Sequence, residues 1–93
     1  MRQLTFETFA AAAKTRGFEE VLERKWQPSL VLDAHTHPFA VKALLVQGEM
    51  WLVVENHEQH LLPGDAFTLE RGVPHIERYG AEGATYWAAR RRS

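Results

Sequence analysis

Three histidines carry the chemistry this sequence can do. His35 and His37 lie in Asp33-Ala34-His35-Thr36-His37-Pro38-Phe39, and His75 closes Gly72-Val73-Pro74-His75. In an extended segment alternate side chains share a face, so His35 and His37 point the same way, about 6.6 Å apart along the chain. Neutral imidazole is the commonest protein ligand for a transition metal, and a His-x-His pair offers two nitrogens already converging. Two ligands make a poor site, and His75 is the candidate third. The competing reading makes the same residues hydrogen-bonded histidines of a β-barrel wall.

Other polar residues are placed by phase. Glu77 and Tyr79 follow His75 by two and four positions and share its face in an unbulged strand. Glu77 is a candidate general base, or an outer or direct metal ligand; otherwise it sits at the barrel mouth paired with Arg78 or Arg24. Tyr79 is a candidate acid catalyst, or a wall residue with its hydroxyl at the rim. Gln47, in phase with His35, His37 and Val41, and Gln59 in the next hairpin are candidates for orienting a bound molecule. His57 and His60 read as surface histidines. Trp51, Trp87, Phe39, Phe67 and Tyr86 read as core or pocket wall. The sequence holds no cysteine, and its only serines are Ser29 and Ser93, so a cysteine or serine nucleophile is unsupported.

The elements that must position these groups are mostly strands. Residues 5–15 form the one convincing helix: Thr5 can cap it, Phe6, Phe9, Ala10 and Ala13 make its apolar stripe, and Gly17 can stop it. From Phe18 onward eight or nine short strands are predicted. They cover Phe18–Trp26, Leu30 into the histidine pair, Ala40–Gln47, Met50–Glu55, Glu58–Leu61, Ala66–Leu69, Val73–Tyr79 and Ala84–Arg90. Tight turns are expected at Pro28-Ser29, Gly48-Glu49, Asn56-His57, Pro63-Gly64-Asp65 and Arg71-Gly72, with a loop from Gly80 to Gly83. Such a pattern is an all-β sandwich or barrel. Strand 50–55 is apolar on both faces, which calls for cover by the helix, a neighbouring strand or a second subunit, and suggests a homodimer.

Composition narrows the function classes. Ninety-three residues make one domain, with a helix at about 5–15 and a barrel at about 18–90. Apolar residues at 45% and charged residues at 25% exclude a disordered or fibrous chain. A formal charge of −1 gives no field for nucleic acid, and the single basic run, Arg90-Arg91-Arg92, reads as a solvated tail. Arg2 ahead of Phe9-Ala10-Ala11-Ala12-Ala13 hints at a leader. Glu7, Thr5 and Thr8 interrupt that stretch, so no membrane partner and a cytoplasmic location are expected.

These residues resemble the motifs of the cupins, in their small single-domain, cupin 2-like form. The first cupin motif runs Gly, five residues, His-x-His, three or four residues, Glu, six residues, Gly. Here Ser29 stands at the first Gly, His35, His37 and Gly48 match, and Val41 takes the Glu position. The second motif runs Gly, five residues, Pro-x-Gly, two residues, His, three residues, Asn. Gly64, Gly72 and His75 match, Glu70 replaces Pro and Tyr79 replaces Asn.

The resemblance implies a cupin-type double-stranded β-helix, a jelly-roll barrel, with a short N-terminal α-helix. It also implies one divalent transition metal on His35, His37 and His75. Zn, Fe, Ni, Mn and Cu all suit such ligands. The family's carboxylate ligand is lost at Val41, which leaves three neutral nitrogens and open positions. The implied function is a metal-binding barrel that takes a small organic molecule. Its alternatives are a metal-free sensor or dimerisation module, and a three-histidine dioxygenase or isomerase.

Overall fold

Helix α1 (Phe6–Thr15) starts where Thr5 satisfies the first free amides: Thr8 N–H donates to Thr5 Oγ1 at 3.2 Å, and Thr5 N–H donates to Thr8 Oγ1 at 3.0 Å. Gly17, at φ +94°, follows its end. The stripe expected from sequence is the buried one, since Phe6 and Phe9 each pack on Trp87 with ring centroids 5.8 Å apart. The computed structural model describes residues 5–92, so Arg2 lies outside it. Among the described residues no helix is long and apolar enough to cross a membrane.

Six strands follow: β1 (Glu20–Trp26), β2 (Val31–His35), β3 (Ala40–Val54), β4 (His57–Leu61), β5 (Ala66–Leu69) and β6 (His75–Arg91). All pairings are antiparallel. The count is lower than expected because four predicted strands fuse into two. Ala40–Gln47 and Met50–Glu55 are one strand, β3, and Val73–Tyr79 and Ala84–Arg90 join as β6. The two long strands pair along their length, from Ala40 opposite Arg91 to Val54 opposite His75. Gly48 does not reverse the chain. It sits at φ +85° where the register shifts between Gly48 and Met50, so the expected turn is a bulge that bends a continuing strand. The loop predicted over Gly80–Gly83 is likewise strand. The 56–57 turn moves by one residue: Glu55 and Asn56 take positive φ (50° and 66°), and Val54 faces His57 as a two-residue hairpin requires.

Bending β3 and β6 at the same level divides the sheet into two halves. β1 and β5 flank the segments 40–48 and 84–91, while β2 and β4 flank 50–54 and 75–79. One apolar cluster joins Val41, Ala43 and Leu45 of the first half to Met50, Leu52 and Tyr79 of the second, so the jelly-roll halves close on each other. The crossing leaves no room at the glycines. A Cβ on Gly48 would lie 2.2 Å from the Gly83 carbonyl oxygen, and one on Gly83 would lie 2.4 Å from that of Trp26.

Trp51, on the outer face of strand 50–54, takes its cover from neighbouring strands, one of the alternatives expected: His60 stacks on it at 4.8 Å and the Arg78 guanidinium lies 5.0 Å from its ring. One surface expectation is corrected: the terminal basic run is not a free tail. Arg90 pairs with Glu20 at 3.1 Å and lies over Phe39, and Arg91 lies over Phe18, so both finish β6.

Gly48→Ala should lower stability by at least about 2 kcal/mol, combining left-handed strain with a backbone clash. Gly72→Ala has φ +80° but open space around it. It should lose only the conformational part, about 1 kcal/mol. Equilibrium urea unfolding of the two variants checks the difference.

Candidate metal centre

β2 and β6 meet at their ends so that His35 and His75 are direct cross-strand partners. His37 lies just past the end of β2, not on it, and its position is set by its backbone: the Gly72 N–H donates to the His37 carbonyl at 2.9 Å. The three rings gather closely, with centroids 4.2 Å apart for His35–His75 and 5.0 Å for each of the other two pairs. One ring nitrogen from each lies within 4.8 Å of the others.

The backbone selects the tautomer. His35 Nδ1 is 2.7 Å from the Asp33 carbonyl oxygen, and His75 Nδ1 is 3.0 Å from that of Val73. A carbonyl only accepts, so each Nδ1 carries the hydrogen and donates it. The Nε2 atoms therefore turn lone pairs towards the barrel interior. His75 is 2% exposed, and its Nε2 is buried without a hydrogen-bond partner.

Glu77 faces those lone pairs. Its Oε2 is 3.5 Å from Nε2 of both His35 and His75, too long for a good hydrogen bond. Its Oε1 accepts from the hydroxyls of Tyr79 and Tyr86. The carboxylate is thus buried (3% exposed), not at the mouth, and Arg78 pairs with Glu58 instead. The sequence phase placed Glu77 on the correct face; the arginine pairing considered for it does not occur. Tyr79 is also misplaced by that reading, because its hydroxyl lies inside on Glu77 and not at the rim.

Electrostatics follow from this packing. Burial opposes the Glu77 charge, yet the nearby His75 imidazole and the hydroxyls of Tyr79 and Tyr86 outweigh it and hold the carboxyl below the usual range. Burial also opposes protonation of His75, but Glu77 and the Val73 carbonyl win and raise its pKa. Burial, then the nearby His75 and His35, lower that of His37 and favour its neutral form. Burial and neighbouring groups push Tyr79 well above the ordinary phenol value, and burial with Glu77 takes Tyr86 up to about 12.

Above the rings is a cavity of about 60 Å³. His35, His37 and Glu77 face it, Trp26, Phe39, Val41, Phe67 and Tyr86 contribute its walls, and Arg24 and Arg90 also line it. Val41 puts hydrocarbon where the cupin motif has its carboxylate. Gln47 is exposed and off the cavity, because the register shift between Leu45 and Gln47 turns it outward. Gln59 is exposed at the β4 surface and does not line the cavity either. His57 and His60 are exposed as expected, with His60 on Glu49 at 2.6 Å. Of the aromatic residues expected in core or pocket wall, Trp87 is buried under α1 on the far side of the sheet from the cavity, whereas Trp51 lies on an outer face. Arg24, considered from sequence only as a partner for Glu77, Arg90, read as tail, and Trp26 all line the cavity, a role not expected of them. The signal was available in the alternation of Leu22, Arg24 and Trp26, which puts Arg24 on the face of Trp26.

The family model of the AraC-like ligand binding domain matches residues 19–90. No curated protein matches the chain. Among solved structures, a chain from the crystal structures of the DMSP lyases RdDddP and RnDddQII superposes with a TM-score of 0.71 at 21% identity, covering 76% of this chain and 37% of that one. An RmlC-like cupin from Shewanella frigidimarina NCIMB 400 gives 0.66 at 18% identity, covering 75% and 63%. A protein of unknown function from Rhizobium leguminosarum bv. viciae 3841 gives 0.71 at 16% identity over 100% and 98% of the two chains. At these identities the likeness is one of fold, and the chain spans less than two thirds of the first two proteins.

Tyr79 and Tyr86 are the only tyrosines of the chain, and both donate to Glu77. Ultraviolet titration of the folded protein should therefore show almost no phenolate at pH 10.0, the ordinary tyrosine midpoint. Ionisation should begin only towards pH 12. Because both folded pKa values are raised, the stability these groups contribute is present below pH 10.0 and is lost as pH rises through that window.

Proposed function

The chain belongs to the AraC-like ligand-binding domain family, a cupin-type domain, and on that premise we propose that it binds a small organic molecule above a divalent metal. The metal would be held by His35, His37 and His75, with Glu77 as the fourth protein ligand. One observation carries this reading. Nε2 of His35, Nε2 of His75 and Oε2 of Glu77 converge with the ring protons turned away, so acceptors face acceptors. Such a cluster is stabilised by a cation among its members, either a metal ion or a proton on an imidazole. The 3.5 Å contacts suit the larger cation, since ligands bonded at about 2.1 Å in a tetrahedron stand roughly 3.4 Å apart. A nitrogen and oxygen set of this kind accepts several first-row metals, and the reading does not choose among them.

When bound, the metal supplies a Lewis-acid or redox centre. The chain's own residues do the rest. Val73 and Asp33 carbonyls orient the rings, Tyr79 and Tyr86 hold one oxygen of Glu77 and leave the other free, and the aromatic walls keep water from the buried carboxylate. Tyr79 acts here as a positioning residue: its proton is committed to Glu77. The small cavity, well below the roughly 300–1,000 Å³ of drug-sized sites, favours a short ligand. All four proposed ligand groups come from one chain, so a homodimer is not needed to complete the site. The spacing of the matched motif residues favours the small cupin 2-like branch.

Protein purified without a metal-affinity tag should contain close to one equivalent of a transition metal by elemental analysis. His75→Ala, with the β-sheet circular dichroism retained, should reduce that to background. Glu77→Gln should weaken affinity about 10–100-fold in competition with a chelator. Protein that is metal-free as purified and takes up none of Zn, Fe, Ni, Mn or Cu on titration overturns the reading.

Binding must also displace protons from the imidazoles. His75 has a raised pKa, so acid should begin to weaken the metal complex above pH 6.5, the ordinary histidine value. Metal affinity measured across a pH series checks this.

A further inference from the structure

We infer that Arg24, laid on Trp26 at the cavity, is an anion anchor, and that the molecule bound is a short-chain organic carboxylate. The inference takes the cavity of the proposed function as the binding site, but it does not require the metal.

Its first support is a charged group without a counter-ion. Arg24 and Arg90 are the two cations that line the cavity. Arg90 is matched by Glu20 at 3.1 Å, whereas Arg24 has no carboxylate partner among the described residues. Its guanidinium carbon instead lies 4.8 Å from the centre of the Trp26 ring. Stacking in that way fixes the plane of the group and leaves its edge N–H donors free for a planar two-oxygen acceptor.

The second support is the balance of donors and acceptors. The Trp26 indole N–H is buried without an acceptor, so the wall around Arg24 is rich in donors. The cavity's single carboxylate, Glu77, is already engaged by Tyr79 and Tyr86 and faces the histidines. Glu77 and Glu20 equal the two arginines in number, but Glu20 is spent on Arg90 and Glu77 is turned to the tyrosines and histidines. Arg24 therefore keeps no carboxylate of its own among the described residues, and any cation on the histidine cluster makes the lining net positive. A carboxylate answers that unpaired guanidinium; a neutral or cationic molecule does not. The remaining walls, Leu32, Phe39, Val41, Phe67 and Leu69, are hydrocarbon and ask for an apolar body behind the anionic end. The volume of about 60 Å³ keeps that body short.

The test is calorimetric titration with butyrate, butyramide and inorganic phosphate, on protein stripped with a chelator and on protein reloaded with zinc. Butyrate should bind in both forms, at least tenfold tighter than butyramide or phosphate. Arg24→Gln should lose at least tenfold of the butyrate affinity, while Arg24→Lys, which keeps the charge and loses the fork, should fall between. Thermal melts confirm that both variants are folded, and zinc content should not change, since Arg24 is not among the proposed ligands. Equal binding of acid and amide overturns the inference, as does tighter binding of phosphate or an Arg24→Gln variant that binds butyrate like the parent. Elemental analysis keeps the two ideas separate. Arg24-dependent butyrate binding by protein that takes up no metal sustains this inference while the metal reading fails, and metal-loaded protein indifferent to butyrate does the reverse.

Discussion

A buried carboxylate oxygen pointed at two imidazole lone pairs is the constraint around which this barrel is arranged. Glu77 Oε2 stands 3.5 Å from Nε2 of both His35 and His75, in a region where His75 and Glu77 are almost wholly removed from water. Burying a carboxylate is strongly unfavourable unless its oxygens are satisfied. Two tyrosine hydroxyls satisfy one oxygen, and against the burial penalty His75 together with these hydroxyls holds the pKa of the group down, so the charge persists at neutral pH. The other oxygen is left to whatever cation the histidines share. The raised pKa of His75 and the proposed metal are two answers to the same demand, and they compete.

The fold delivers these groups through its two long strands. β6 begins with His75, Glu77 and Tyr79 facing inward, passes the glycine crossing, and then presents Tyr86 and Ala88 to the same interior. Both ends of one strand therefore contribute to one polar cluster, and Tyr86 reaches Glu77 from nine residues away. That geometry depends on the bend. Gly48, Gly83 and the Trp26 carbonyl are stacked so tightly that a methyl group at either glycine would meet backbone oxygen. A straight β6 would carry Tyr86 away from Glu77 and leave the carboxylate half-satisfied.

The inward face was legible in the sequence because a period of two is hard to disguise: His35, His75, Glu77 and Tyr79 all face the interior as their spacing requires. Legibility failed wherever a residue of positive φ sat inside a strand. Gly48 looks like a hairpin turn in one dimension, and only its packing against Gly83 shows it to be a bulge. The same bulge region turned Gln47 outward and broke the phase argument made for it. Ser29 is the opposite case. It stands where the cupin motif has glycine and takes φ +57°, the left-handed conformation that glycine tolerates best. The place of Arg24 and Trp26 in the cavity wall was not legible because it depends on partners about sixty residues away on β6.

The position of the carboxylate has a chemical consequence. The cupin motif puts Glu on the strand that follows the histidine pair, where this chain has Val41; here the acid sits on the strand of the third histidine. From that strand its Oε1 is tied by two hydroxyls, so Glu77 has a single oxygen to offer, and offers it from beside His75. A chelating, two-oxygen mode would require breaking both tyrosine bonds in a dry interior, each break exposing a buried polar group. For the proposed metal, the ligand set would thereby be three nitrogens and one oxygen, and on the Val41 side the cavity has a hydrocarbon wall shared with Phe67 and Leu69. An acid on β6 together with a valine at residue 41 thus does two things at once. It puts a negative charge beside the histidines, and it leaves the wall at Val41 apolar.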